Sequence, residues 1–317
     1  MIPGGTGQIG NMLARHFHGQ GHRVVVLGRN PPESTPWRVV LWDGATIGNW
    51  ATELEHADVV INLAGRSVHC RYSATNQRAI RESRVQTTRV LGEAIGKTAH
   101  PPRLWMNAST ATIYRHALDK EMDEATGEIG GKEPHAPSTW RFSIDVATSW
   151  EDAFFSATTQ RTRKIALRSA MTMSPDAGGI FAELLRLVRF GLGGTASSGE
   201  QFVSWIHEAD FIRGIEYLMA HEEMHGPVNL ASPNPLPNRE FMRCLRAAWG
   251  TRVGLPATRP MLEIGALVLR TETELILKSR RVVPWLLLQS GFQFEFSEWA
   301  AAAKDLVGRW RAQHLRS

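Results

Sequence analysis

The most constraining feature of this sequence is a glycine-rich loop close to its start. The loop reads Gly4-Gly5-Thr6-Gly7-Gln8-Ile9-Gly10 and satisfies both G-x-x-G-x-x-G and G-x-G-x-x-G. Small residues there let backbone N–H groups approach a pyrophosphate at the N-terminus of the following helix. A helical pattern over 8–19 and a β-branched run over 23–27 follow, which distinguishes a dinucleotide site from a simple glycine-rich turn. The sequence therefore predicts a dinucleotide site that includes Gly4, Thr6, Gly7, Gln8, Ile9 and Gly10.

Short β-branched runs alternate with helical patterns through the first half of the chain. Continuous apolar strands separated by helices are typical of a parallel sheet that helices cover on both faces. The strands are predicted at 23–27, 39–41, 58–62, 103–107 and 164–167. The helices are predicted at 8–19, 75–98 and 139–157. We therefore expect an α/β fold with a Rossmann-type, doubly wound parallel sheet.

Only Met1, Ile2 and Pro3 precede the glycine loop, whereas this fold normally supplies a full central strand there. Either the start of the chain is assigned a few residues late, or the first strand is a stub. We favour the late start, and mass spectrometry of the natively expressed protein would distinguish the two.

Glycine and proline are frequent in the second half of the chain, which indicates a smaller, loop-rich lobe. Its helices are predicted near 179–190, 208–221, 238–249 and 259–276, and its strands at 202–206 and 227–231. We expect a Rossmann domain over 1–170 and a smaller C-terminal α+β lobe on the substrate side over 171–317. The boundary is soft, because such lobes often return strands to the main sheet.

Composition argues against several classes of protein. The formal net charge is +5, but the arginines are scattered from Arg15 to Arg316 rather than clustered among stacking aromatics, so no nucleic-acid partner is expected. No apolar stretch approaches the length of a membrane-spanning helix, so no membrane span is expected. Cys70 and Cys244 are far apart and form no disulfide framework, which favours the cytoplasm.

The run His221-Glu222-Glu223-Met224-His225 matches H-E-x-x-H, the zinc-protease motif. That motif needs a helix that continues through both histidines, so that they share one face. Gly226-Pro227 follows at once and indicates that the helix is ending. We therefore expect no metal site.

The end of the strand after the first helix indicates which dinucleotide is bound. A site that prefers NAD carries Asp or Glu there, to accept hydrogen bonds from the ribose 2′-hydroxyl. Here Gly28-Arg29-Asn30 follows the strand, and no acid occurs until Glu33. Gly28 leaves room, and the Arg29 guanidinium suits a 2′-phosphate, although Arg29 could also be an ordinary solvent-facing side chain. The hypothesis is NADP(H).

Several further segments occur in an order that is typical of one protein family. They are Trp42-Asp43, Asn62-Leu63-Ala64-Gly65, Ser83-Arg84-Val85 and Ser204-Trp205-Ile206-His207-x-x-Asp210. With the glycine loop, they resemble the extended and atypical short-chain dehydrogenase/reductases, specifically the epimerase family proteins described as NAD-dependent epimerase/dehydratase-like. The closing segments, Arg281-Val282-Val283-Pro284 and Gly291-Phe292-x-Phe294, resemble the small C-terminal domain of unknown function found in that group, expected over about 255–305.

The resemblance implies a Rossmann-fold NADP(H) site and assigns cofactor contacts along the chain. Gly28 and Arg29 would hold the adenosine ribose phosphate, and Asp43 would approach the adenine amine. The segment after the fourth strand, Leu63, Ala64 and Gly65, would line the cofactor. Arg84 would reach toward the cofactor, although many relatives carry Asn there. A homodimer through the 75–98 helix would also fit this superfamily.

The catalytic pattern of the superfamily is incomplete in this sequence. The resemblance implies a Ser or Thr, a Tyr and a Lys, where the Tyr exchanges the proton and the Lys lowers its pKa. Thr110 matches the Ser/Thr position. No Tyr-x-x-x-Lys exists, because Asn76, Leu118 and His221 stand four residues after the three tyrosines, Tyr72, Tyr114 and Tyr217. Phe142 or Ser143, and Val146 or Ala147, stand where the pair is expected.

Tyr114 is the best remaining hydroxyl for proton transfer, because it follows Thr110 closely. The alternative is a tyrosine of the pocket wall. Asp145, His69 and His207 are weaker candidates for the acid. The loop Arg66-x-x-His69-Cys70-Arg71 could clamp an anionic substrate at the edge of the sheet, or could be a solvated loop.

Two functions remain open from the sequence. The first is an NADP(H)-dependent oxidoreductase or a nucleotide-sugar-epimerase-like enzyme, acting on a small molecule with a non-standard proton donor. The second is a non-catalytic NADP(H)-binding sensor or regulatory protein that has kept the cofactor site and lost the proton relay. The absent Tyr-x-x-x-Lys favours the second, whereas Thr110 and the expected pocket favour the first.

Overall fold

The expected alternation of strands and helices is present in the computed structural model, which describes residues 1–30, 34–134, 136–258, 260–263 and 272–314. The strands are β1 (Ile2–Pro3), β2 (Val25–Gly28), β3 (Arg38–Leu41), β4 (Val59–Asn62), β5 (Leu104–Ala108), β6 (Arg163–Ser169), β7 (Met171–Met173), β8 (Phe202–Val203), β9 (Trp205–His207), β10 (Gly226–Leu230) and β11 (Leu236–Pro237). The helices are α1 (Gln8–Gly19), α2 (Ala74–Lys97), α3 (Ser138–Phe155), α4 (Ile180–Arg189), α5 (Glu208–Ala220), α6 (Asn238–Trp249), α7 (Glu274–Leu277), α8 (Trp285–Gln289) and α9 (Trp299–His314). Short 3-10 helices cover Asn49–Leu54 and Ala111–Ile113.

The main sheet is parallel throughout. Strands pair in the orders β1-β2-β3 and β10-β6-β5-β4. The two groups join because Ile61 N donates to Met1 O at 2.9 Å and Leu63 N donates to Pro3 O at 2.8 Å. The resulting order, β3-β2-β1-β4-β5-β6-β10, reverses direction between β1 and β4, where such sheets bind their ligands. The predicted doubly wound, Rossmann-type sheet is confirmed.

Helices bury both faces of this sheet. On one face, α1 and α5 pack with Met12, Phe17 and Phe211 against strand residues that include Val26 and Met106. On the other face, α2 and α3 pack against the alternate strand residues. That layer contains Leu27, Val60, Leu91, Trp105 and Phe154. The alternation of side chains along buried strands therefore explains why nearly every strand position is apolar.

A smaller C-terminal lobe completes the fold. Its core brings together α4, α6 and α9, and the Phe241 and Trp299 rings stack with centroids 4.1 Å apart. The pairs β7-β9 and β8-β11 supply its strands. However, β10 and α5 belong to the main sheet and its helical layer. The division of the chain at about residue 170 therefore stays a prediction.

Two predicted elements of the second half differ from the structure. The predicted strand over 202–206 is split into β8 and β9, because the Ser204 hydroxyl donates to Arg280 O at 2.7 Å and accepts from Val282 N at 2.8 Å. The predicted helix over 259–276 is helical at 260–263 and again in α7. Residues 259 and 264–271 lie outside the described residues, as does Glu33.

Two of the features expected to be absent would depend on helices: the H-E-x-x-H metal site and a membrane span. Helix α5 ends at Ala220, so residues 221–225 follow it and do not form the helical face that H-E-x-x-H requires. Among the described residues, none of the helices has both the length and the apolar character needed to cross a bilayer.

Candidate functional site

The glycine loop joins β1 to α1 and depends on two crowded glycines. Gly4 has a φ of +73°, and a Cβ there would lie 2.6 Å from the backbone N of Ala64. A Cβ on Gly10 would lie 2.3 Å from the Cα of Gly5. Glycine is therefore required for the left-handed backbone of Gly4 and for the close approach of α1 to the loop.

Gly7 leaves the N-terminus of α1 open. It is the N-cap of the helix, with an extended backbone and no capping side chain, and no acidic residue lies in the first turn. A Cβ on Gly7 would approach only Gly4 O, at 3.9 Å. The first amides of a helix lack intrahelical acceptors and carry the positive end of its dipole. This end of α1 therefore suits an anionic group such as a pyrophosphate.

The end of β2 brings Gly28 and Arg29 next to this loop. A Cβ on Gly28 would lie 2.7 Å from the Cγ2 of Thr6, so the two segments touch. Arg29 is exposed, and within the described residues no hydrogen bond or ion pair engages its guanidinium. Its charge is therefore available to a ligand at the edge of the sheet.

Asp43 closes the turn that follows β3. Its carboxylate accepts hydrogen bonds from Ala45 N at 2.8 Å, Thr46 N at 3.0 Å and the Thr46 hydroxyl at 2.6 Å. These bonds, the Thr46 hydroxyl above all, lower the pKa of Asp43, so the exposed side chain is ionised at neutral pH. An ionised carboxylate at this edge can also accept a hydrogen bond from an amine.

The segment after β4 is positioned by a buried amide. Ala64 N donates to Asn62 Oδ1 at 3.1 Å, and Asn62 Nδ2 donates to Asn107 Oδ1 at 2.7 Å on the neighbouring strand. A Cβ on Gly65 would lie 3.2 Å from the Cζ of Arg84. The absence of a side chain at Gly65 thus makes room for the guanidinium.

Arg84 carries a partly buried positive charge beside this segment. Its guanidinium donates to Arg66 O and Ile80 O at 3.0 Å and lies 5.1 Å from the centroid of Trp150. Burial lowers the pKa of Arg84 to about 10, so the side chain remains cationic at neutral pH. No described carboxylate pairs with it, which leaves the charge free for an anionic ligand.

A cavity of about 570 Å³ runs from the glycine loop to the C-terminal segment. Gly4, Gly7, Gln8, Ile9, Gly10 and Leu63 line one part, together with Arg84. Hydroxyl groups line much of the remainder: Ser109, Thr110, Thr112, Ser143, Ser169 and Thr172. Most of the predicted glycine-loop residues therefore meet Leu63, Arg84 and Thr110 in one cavity. The other predicted cofactor contacts do not line it: Thr6, Gly28, Arg29, Asp43, Ala64 and Gly65.

Thr110 and Tyr114 have different surroundings. Thr110 lines the cavity, and its hydroxyl accepts from Thr112 N at 3.1 Å. Tyr114 is 2% exposed and does not line the cavity. Its hydroxyl donates to Asn229 Oδ1 at 3.0 Å and accepts from Arg168 Nη1 at 2.9 Å. The predicted proton donor is therefore held in a buried polar network behind the cavity, where two long-range partners use its hydroxyl.

The weaker candidates for the acid are also outside the cavity. Asp145 and His69 are exposed. His207 is buried and caps α5, because its Nδ1 accepts from Ala209 N at 3.1 Å. Of the loop predicted to clamp an anion, only Ser67 and Val68 line the cavity. Arg71 of that loop lies 3.5 Å from Glu272.

The positions of the missing pair do face the cavity. Four residues of α3 at or next to the expected Tyr and Lys positions line it: Phe142, Ser143, Val146 and Ala147. Neither Phe142 nor Val146 can transfer a proton. Ser143, however, donates a hydrogen bond to the Glu274 carboxylate.

Three titratable residues of the cavity were not predicted: Tyr72, Glu274 and Arg280. Tyr72 packs its ring edge against Phe142, with centroids 5.0 Å apart. Burial, followed by the charge of Glu274, raises the pKa of Tyr72 to about 12. No spacing in the sequence connects Tyr72 to α7, so only the tertiary fold identifies this group.

Comparison with known proteins agrees with this geometry. The model of the NAD dependent epimerase/dehydratase family matches residues 1–231. The chain belongs to this family. A second model, a domain of unknown function (DUF1731), matches residues 257–306, which coincides with the predicted segment over about 255–305.

Relatives of this family match nearly the whole chain. The human epimerase family protein SDR39U1 is 31% identical over 310 residues, covering 97% of this chain and 99% of the relative. The epimerase family protein YfhF of Bacillus subtilis is 29% identical over 312 residues, covering 96% and 97%. The predicted resemblance is confirmed.

Solved structures support the fold and the cofactor class. The crystal structure of human SDR39U1 (isoform 2) with NADPH matches at a TM-score of 0.83 and 29% identity, covering 97% of this chain and 98% of that one. A nucleoside-diphosphate sugar epimerase from Corynebacterium glutamicum matches at a TM-score of 0.75 and 26% identity, covering 97% and 57%. The predicted NADP(H) agrees with the cofactor in the human protein.

Proposed function

We propose that this protein binds NADP(H) and acts as an oxidoreductase or epimerase-like enzyme on a small molecule, with a proton donor other than Tyr-x-x-x-Lys. One observation carries the proposal: the open N-terminus of α1 and the Thr110 hydroxyl lie in the same cavity. The NADPH in the human relative supports the cofactor.

The residues at the sheet edge fit such a cofactor. The amides after Gly7 would receive the pyrophosphate, and Arg29, beside Gly28, would receive the 2′-phosphate. Asp43 would face the adenine amine. The segment Leu63, Ala64 and Gly65 would line the cofactor, and Arg84 would approach its phosphate or ribose oxygens. When bound, the cofactor supplies or accepts a hydride.

The cavity residues would orient the substrate and exclude water. Thr110 would hold a substrate oxygen through its hydroxyl, which is fixed by the bond from Thr112 N. An anionic group on the substrate would face Arg84 and Arg280, which both line the cavity. Tyr114 would support the cavity floor by holding Arg168 and Asn229.

The experiment that tests this function is a titration with NADPH and with NADH, followed by tryptophan fluorescence, since Trp150 lines the cavity. We expect tighter binding of NADPH, and loss of that preference in Arg29→Ser. Arg78→Ser is the matched control, because Arg78 is also an exposed arginine but lies on α2 rather than directly after β2. Equal affinities for the two cofactors in the unmodified protein would refute the assignment.

A non-catalytic NADP(H)-binding sensor is the second candidate. The observation in its favour is that Phe142 and Val146 occupy the wall where a proton-transferring pair would stand. Turnover of carbonyl or sugar-nucleotide substrates by the unmodified protein would exclude it. Tight NADPH binding without turnover of any of them would support it.

Assembly and location complete the proposal. Helices α2 and α3 leave a surface groove of about 1130 Å³, lined by Arg81, Val85 and Arg89 among others, where a second subunit could pack. A monomer in sedimentation at micromolar concentration would refute the homodimer.

The proposed location is the cytoplasm. Both cysteines are free, which supports a cytoplasmic protein, and purification from the membrane or exported fraction would contradict that location.

A further inference from the structure

The C-terminal segment places a carboxyl group in the wall of the cavity. Glu274, the first residue of α7, is 1% exposed and lines the cavity in contact with α3. Ser143 donates a hydrogen bond to its Oε2. Its Oε1 has no hydrogen-bond partner within the described parts of the chain. A buried carboxyl oxygen without a partner is costly, which marks this atom as one that a ligand could satisfy.

The charged groups around Glu274 shift the pKa of its carboxyl in both directions: Arg280 and Lys278 lower it, and Glu272 raises it. Arg280 Nη2 lies 3.9 Å from Oε1, too far for a hydrogen bond, and its Nε donates to Thr112 Oγ1 at 3.0 Å. Lys278 donates to Thr112 O at 2.7 Å, and Glu272 opposes the ionisation of Glu274. Burial dominates and raises the pKa of the Glu274 carboxyl.

Resting on the function proposed above, we propose that Glu274 is the proton donor of this site, held by Ser143 and assisted by Tyr72. This group would replace the Tyr-x-x-x-Lys pair that α3 lacks. In the reducing direction, the O–H bond of the Glu274 carboxyl breaks and an O–H bond forms on the substrate oxygen. The substrate carbon would gain a hydride from bound NADPH, which would become NADP⁺. The two transfers together would give the alcohol, and the loss of its proton would leave Glu274 as a carboxylate. Water restores its proton after product release.

The other titratable groups nearby are less suited to this role. Tyr72 has a pKa of about 12 and stays protonated, so it can donate a hydrogen bond to the substrate oxygen without losing its proton. Lys278 does not line the cavity, and its Nζ is bonded to the backbone of Thr112. Tyr114 is held by Arg168 and Asn229.

Glu272 shows how the segment is fixed at this wall. Its carboxylate accepts from Tyr72 N at 2.7 Å and lies 3.5 Å from the Arg71 guanidinium. It is also buried, at 7% exposed, but it does not line the cavity. Glu272 therefore attaches the C-terminal segment to the loop before α2, whereas Glu274 faces the ligand. The two residues form a natural pair for a controlled experiment.

The test compares Glu274→Gln with Glu272→Gln and measures the protons released when NADP⁺ binds, by calorimetry in buffers of different ionisation enthalpy. A cationic nicotinamide in the same cavity favours the ionised carboxyl, so wild-type binding should release up to about one proton at pH values between the pKa of Glu274 with NADP⁺ bound and its raised pKa without NADP⁺. NADP⁺ affinity should then rise by up to about tenfold per pH unit. Glu274→Gln should bind NADPH and release no proton. Glu272→Gln should still release the proton, but at somewhat lower pH, because the charge of Glu272 opposes the ionisation of Glu274.

A second variant keeps the test decisive if Glu274→Gln does not fold. Ser143→Ala removes a hydrogen bond that favours the ionised carboxyl, so proton release should move to higher pH. Suppose that the wild type binds NADPH, but Glu274→Gln releases the same proton or Ser143→Ala does not change the pH of release. That result would overturn the role of Glu274 and leave the proposed cofactor binding intact. No binding of NADPH or NADP⁺ by the wild type would overturn the proposed function as well.

Discussion

Replacing Tyr114 by Phe tests whether this tyrosine supports the fold or transfers a proton. The hydroxyl links two buried partners that lie on neighbouring strands: it donates to Asn229 Oδ1 at 3.0 Å and accepts from Arg168 Nη1 at 2.9 Å. Arg168 also donates to the Glu151 carboxylate, from Nε at 2.9 Å and from Nη2 at 2.7 Å. In Tyr114→Phe, one acceptor and one charged donor would therefore lose their partner inside the protein.

The expected cost follows from those two groups. A buried polar group left without a partner costs about 1 to 3 kcal/mol, and more when it is charged. Since Arg168 keeps its two bonds to Glu151, the loss at the guanidinium is partial. We therefore expect Tyr114→Phe to lower the free energy of unfolding by about 2 to 4 kcal/mol. The phenyl ring keeps its packing, so the cavity and the affinity for NADPH should not change.

The assay is urea unfolding followed by fluorescence, together with an NADPH titration and, where a substrate is found, a rate measurement. Tyr217→Phe is the matched control, because its hydroxyl donates to Ser290 O at 2.6 Å in an exposed position. That variant should lose only about 0.5 to 1.5 kcal/mol. Unfolding of Tyr114→Phe at the wild-type midpoint, combined with lost turnover, would refute the structural role and return Tyr114 to the chemistry.

Two further predictions concern the glycine loop and pH. Gly4→Ala should abolish NADPH binding and destabilise the fold by more than Gly21→Ala. Both glycines have a positive φ, but only a Cβ on Gly4 would lie 2.6 Å from the backbone of Ala64. Equal unfolding midpoints of the two variants would contradict the clash. Burial lowers the pKa of His207 although Asp305 opposes it, so its stabilising contribution is present above the usual pKa of about 6.5 and is lost as pH falls through the folded-state pKa. His207→Asn, which can still cap α5, should flatten this part of the stability curve measured by urea unfolding, and an unchanged slope would exclude His207 as its source.

The sequence was sufficient to predict those parts of the structure that depend on residues close together in the chain. The glycine loop could be predicted because Gly4 and Gly10 meet requirements set within one turn of backbone. The strands of the main sheet could be predicted because both of their faces are buried, which leaves continuous apolar runs. The predicted strand over 202–206 was wrong at Ser204, whose partners lie in the chain after Lys278. Nothing near Ser204 in sequence indicates that contact.

The candidate site was predictable on the cofactor side and not on the side of the proton donor. Thr110 follows a strand that ends at the ligand-binding edge, so its position comes from topology. Tyr114 follows equally closely, yet Asn229 and Arg168 hold its hydroxyl away from the cavity. Which side a hydroxyl faces depends on partners that are distant in sequence, and pattern alone does not contain them.

The two walls of the cavity explain how this chain could lack the Tyr–Lys pair and still position a proton. Helix α3 presents Phe142 and Val146, which make its wall apolar, and the ring of Tyr72 packs against Phe142. An apolar wall raises the cost of ionising any acid beside it, so a buried carboxyl group in contact with α3 stays protonated at higher pH than usual. The segment matched by the domain of unknown function supplies such a group in Glu274. If Glu274 is the proton donor proposed above, the carboxyl on α7 takes the place of the pair that α3 lacks, and the C-terminal domain completes the site rather than merely covering it.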